Sequence, residues 1–146
     1  MFTLPYRTLM HYKRWATNGL NAVIADNLEA RPHGHTAPRS DELPSFEELA
    51  SKARSMADWY ADYADALRPE EVDEVIAFSF SNAEPARMTR GEMLLHVATH
   101  GAGHRGQAAL LLQKNGIQPF PDRITDFLRA EDAPPNRQAA VAEAAA

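Results

Sequence analysis

The chain has 146 residues, a formal net charge of −5 and no cysteine. That length suits one domain with a core of useful size, and without cysteine there are no disulfides, thiolate metal sites or cysteine nucleophiles. Acidic and basic residues are interleaved, so no basic stripe is offered to phosphate and no nucleic-acid partner is expected.

The start, MFTLPYRTLMHYKRW, lacks the basic, apolar and small-residue regions of a signal peptide. No apolar run approaches the roughly 20 residues that span a bilayer. A cytoplasmic protein with no membrane partner is expected.

Leu9, Trp15, Ala16, Leu20, Val23 and Ile24 recur at helical intervals and predict one amphipathic helix from about Leu4 to Leu28. RPHGHTAPRSDELP, 31–44, is rich in proline and polar residues and reads as a surface loop carrying His33 and His35. Ser45 with Glu48 then makes a capping box. Leu49, Ala53, Met56, Tyr60, Tyr63 and Leu67 follow in steps of three and four, predicting a core-facing stripe that ends before Pro69. Trp59 and the tyrosines read as core packing.

VDEVIAFSF, 72–80, suits a short extended segment, and SNAEPAR reads as loop. A second capping box, Thr89 with Glu92, opens a helix from about Arg90 to Lys114, and Asn115-Gly116 closes it. PDRITDFL suggests one short further helix. The Ala, Glu and Pro tail, 131–146, is expected to be disordered beside a domain spanning 1–130.

The chemistry concentrates in LLHVATHGAGHRGQAALLLQ, 94–113. Periodicity puts Met93, Val97, His100, His104, Ala108 and Leu111 on one stripe, so the histidines stand where a core would take leucine. An unpaired imidazole buried there costs a few kcal/mol. Residues four apart on a helix lie about 6 Å apart at Cβ, close enough for two imidazoles to share one divalent ion. His96 and His104 are about 12 Å apart along the axis at a rise of ~1.5 Å per residue, so one ion takes one adjacent pair. Gly101 stands where a zinc protease motif needs glutamate, which argues against a protease. Metal ligation and structural histidines satisfied by hydrogen bonds both remain open on spacing alone. Gly101, Gly103 and Gly106 each cost roughly 1 kcal/mol in a helix interior, which points to a close helix neighbour or a cavity.

The His-x3-His-Arg-Gly-Gln cluster, with YKRWA, RPHGHTAP and MADWYADYADAL, resembles the DinB/YfiT-like family over most of residues 4–130. The resemblance implies an all-α, up-down helical bundle holding a divalent metal, nickel or zinc, through three histidines. Two of them match His100 and His104, while His96 matches a common neighbour. Arg105 and Gln107 match residues that orient the last helix against the bundle, and Thr99 stands where the family usually has asparagine. Some members are transferases or isomerases dependent on a small-molecule thiol. The implied activity is therefore a metal- and thiol-dependent S-transferase acting on small electrophiles. The alternative is a non-catalytic dimerisation or stress-response domain with structural histidines. Against the family pattern, roughly 30 to 40 residues are missing between about Asn27 and Arg31, judged from one ordinary helix and its connections. The second helix and its histidine are thus expected to be absent, with His11, His33 and His35 as conceivable substitutes and a homodimer as the way to close the core.

Overall fold

A computed structural model describes residues 4–27, 44–80 and 82–130. The loop histidines His33 and His35, the segment around the expected gap and the 131–146 tail lie outside the described residues.

The fold is mostly helical. Helix α1 (Leu4–Ala25) is followed by α2 (Phe46–Ala66), a 3-10 turn (Pro69–Glu71), strands β1 (Val75–Ser79) and β2 (Pro85–Thr89), α3 (Arg90–Lys114) and the short α4 (Ile124–Phe127). Both capping boxes form: Ser45 and Glu48 bond each other's backbone at the start of α2, and Thr89 and Glu92 do so at α3. At the far end of α3, Gly116 takes φ 73°, the left-handed turn that glycine allows.

The expectation of an all-α chain needs one correction. β1 and β2 pair antiparallel from Val75 opposite Thr89 to Ser79 opposite Pro85. The segment read as loop supplies the second strand, with its proline in the first strand position, where a missing N–H does least harm.

Helix α1 is the hub, packing against α2, α3 and α4. Arg7 donates to the carbonyls of Ala64 and Asp65, while Arg14 reaches Asp58, so α1 and α2 run antiparallel. Tyr6 lies at Gly91, and Lys13 at Gly101, so α1 and α3 run parallel. Met10, Ala64, Leu67, Val72, Leu94 and Ala98 form the core near the start of α1, with Tyr60 and Tyr63 packed against it. Around Trp15, the rings of Tyr12, Phe120 and Phe127 form an aromatic cluster.

The core stripe predicted for α2 is only partly the buried one. Ala50, Ala57, Ala61 and Ala64 face inward, whereas Leu49 is 49% exposed, Met56 55% and Trp59 54%. Small side chains let α2 lie close to α1, and the large apolar residues stay on its flank. Among the described helices none is long and apolar enough to cross a membrane.

Candidate metal centre

Helix α3 buries Gly91, Leu94, Ala98 and Arg105. His96, His100 and His104 therefore fall on its outer side and are exposed. This corrects the prediction that they occupy core positions: the helix turns its glycine, leucine and alanine positions toward α1 instead. No burial cost then has to be offset, and the imidazoles are free to meet a ligand.

His100 Nε2 and His104 Nε2 lie 2.9 Å apart. His104 Nδ1 is 3.2 Å from Gln107 Oε1, an acceptor, so Nδ1 carries the proton and Nε2 presents its lone pair. That lone pair accepts the Nε2–H of His100. His96 has another role: its ring stacks on His100 with centroids 5.3 Å apart and planes inclined by 17°, bringing no nitrogen to the pair. The Thr99 hydroxyl donates to the carbonyls of Leu95 and His96. His96, Thr99, His100, Gly103, His104 and Gln107 line an open groove of about 380 Å³.

The donor pair fits a divalent ion. Zinc–imidazole distances of about 2.0–2.1 Å separate two nitrogens by about 2.9 Å at a right angle and about 3.3 Å at the tetrahedral angle. Both nitrogens could hold the ion once His100 takes the tautomer with its proton on Nδ1, which frees its Nε2 lone pair. Among the described residues, no group of three His, Cys, Asp or Glu side chains could hold a metal. His11 is engaged elsewhere, its Nε2 2.9 Å from Asp65 and its Nδ1 3.0 Å from Arg14.

Behind the histidines lies an ionic latch that spacing does not reveal. Arg105, buried on the inner side of α3, donates from Nε to Asp122 at 2.7 Å, and the Tyr12 hydroxyl donates to the same carboxylate. Burial, then the bond to Asp122, pushes the Tyr12 hydroxyl up to about 12. Arg105 thus ties α3 to the segment leading into α4, in keeping with an orienting role, whereas Gln107 orients His104 rather than the helix. Lys13 reaches beneath Gly101 and over the Tyr60 ring; burial, then Arg105, lowers its pKa.

These features define a mostly helical protein with an exposed histidine pair on its longest described helix. The chain belongs to the DinB family, whose model matches residues 36–138. No curated protein and no solved structure matches it.

Proposed function

We propose that the chain binds a divalent ion, nickel or zinc, through His100 and His104, and that the site serves a thiol-dependent transferase acting on small electrophiles. The observation that carries the metal assignment is the pair of exposed Nε2 atoms 2.9 Å apart, at the spacing of adjacent ligands. Gln107 fixes the tautomer of His104, and the groove leaves room for a small molecule beside the pair. A divalent ion bound there would hold a thiol deprotonated at neutral pH. The transferase step rests on likeness to the family. We read α1, α2 and α3 as three helices of an up-down bundle lacking the family's second helix.

Metal analysis of the purified protein by mass spectrometry tests the site. His100→Ala should remove most of the bound metal, and unchanged content would overturn the assignment. The non-catalytic reading has one observation in its favour: the two imidazoles already satisfy each other by a hydrogen bond. It predicts that chelation changes neither melting temperature nor oligomeric state, and that no thiol is consumed with an electrophile.

A further inference from the structure

Lys13, half-buried on α1, is placed unlike a lysine that only lends its stem to packing. Such a side chain turns its ammonium to water; here Nζ stands over the Tyr60 ring, 5.4 Å from its centroid, and faces the Arg105 guanidinium. Among the described residues it meets no carboxylate and no other hydrogen-bond acceptor. Arg105 is buried and commits Nε and Nη2 to Asp122, while Nη1 has no acceptor among the described residues. A Cβ added at Gly101 would stand 3.5 Å from Arg105 Nη1 and 3.5 Å from Lys13 Cε. The two cations therefore converge on one point of the seam between α1 and α3.

The charges at this point do not balance. Lys13 and Arg105 bring two positive charges, and among the described residues Asp122 is the one carboxylate that bonds either of them. The Tyr12 hydroxyl donates to that carboxylate and adds no charge. One positive charge is left over in a half-buried seam, where it is stabilised less than in water. Burial, then Arg105, lowers the Lys13 pKa, the direction expected of a cation without a counter-ion. A single carboxylate restores neutrality, offering one oxygen to Nζ and the other to Nη1 in charge-assisted hydrogen bonds; a phosphate dianion would overshoot. Gly101 has no side chain to cover the two nitrogens. It belongs to the same turn of α3 as His100 and His104, so the anchor borders the turn that carries the pair.

We infer that Lys13 and Arg105 Nη1 anchor a small molecule by its carboxylate beside Gly101, and that this molecule is one of the two reactants, the thiol or the electrophile. The choice of molecule rests on the transferase reading above; the anchor itself needs no metal. Lys13 binds and orients, and takes no part in making or breaking bonds.

The test uses the full chain stripped with chelator, following the Gly101 amide and the Arg105 Nε–H in proton–nitrogen correlation spectra. Two carboxylates are titrated: crotonate, an unsaturated acid that stands for the electrophile, and S-methylglutathione, a thiol carrier with its sulfur blocked. Crotonamide is the neutral counterpart and inorganic phosphate the rival anion. Saturable shifts with either carboxylate are expected, and the tighter of the two identifies which reactant carries the group. Lys13→Met keeps the stem and drops the charge; it should weaken binding by about tenfold or more, the loss of one hydrogen bond to a charged group, with circular dichroism unchanged. Lys13→Arg keeps the charge and should retain binding. Arg87→Gln removes a cation on the exposed side of β2 and should bind as the parent does. No shift with either carboxylate would overturn the anchor, as would equal binding of crotonamide or phosphate, or unchanged affinity in Lys13→Met. None of these outcomes touches the histidine reading, which metal analysis decides by itself.

Discussion

Asp122 carries more of the structure than its place in an irregular segment suggests. It accepts from Arg105, a guanidinium only 8% exposed, and from Tyr12, while itself 23% exposed. Removing one partner of a fully buried ion pair costs roughly 3–5 kcal/mol; partial exposure lowers this, so Asp122→Ala should lose about 2–3 kcal/mol in urea unfolding. Tyr12→Phe removes one hydrogen bond to a carboxylate and should cost about 1–2 kcal/mol near neutral pH. The folded-state pKa of Tyr12 is raised from the usual 10.0 to about 12. Its contribution is therefore complete below about pH 10 and is lost as pH rises toward 12. The stability gap between wild type and Tyr12→Phe should accordingly narrow between about pH 10 and pH 12; a constant gap would show that the hydroxyl is not held in this way.

At the scale of elements, the ends of α3 are set by different forces. Its start is capped by Thr89 and pressed against α1 at Gly91, where an added Cβ would stand 2.7 Å from the Tyr6 hydroxyl and 2.9 Å from Val72. Thr89→Ala should cost about 1 kcal/mol, the usual loss of a cap. Gly91→Ala should cost more, about 1–3 kcal/mol by overpacking; the order of the two melting temperatures checks this. The caps were legible in the sequence because Ser45–Glu48 and Thr89–Glu92 are local chemistry, complete within four residues. Helix α2 shows where such reading stops. It carries two apolar stripes, one of alanines and one of Leu49, Met56 and Trp59, and periodicity cannot say which meets α1. The histidine pair was recognisable from its spacing, but its exposure was not. That depends on Arg105 turning inward to Asp122, seventeen residues away. Strand β2 escaped notice because Glu84-Pro85 looks like a turn until β1 is there to pair with it.

At the scale of the molecule, and among the described residues, Met56 and Trp59 on α2 and Leu110 and Leu111 on α3 are all more than half exposed. Metal binding to the folded chain shifts stability by mass action, about 2.7 kcal/mol when free ligand is 100 times Kd. For a chain of this size that corresponds to roughly 5–10 °C. Zinc should raise the melting temperature of wild type by this amount and leave His104→Ala nearly unmoved. An equal rise in both would place the metal away from α3.

The hub position of α1 has a consequence for how the molecule opens. Among the described residues, Arg90 at the start of α3 reaches Tyr63 of α2, and both helices pack against α1. Detaching α1 would therefore deprive both of their shared support in a single event. In native-state hydrogen exchange, the inward amides of α1 and α3 should share one slow opening free energy with those of α2 near Ala64. The first turns of α2, far from that junction, should exchange by smaller fluctuations.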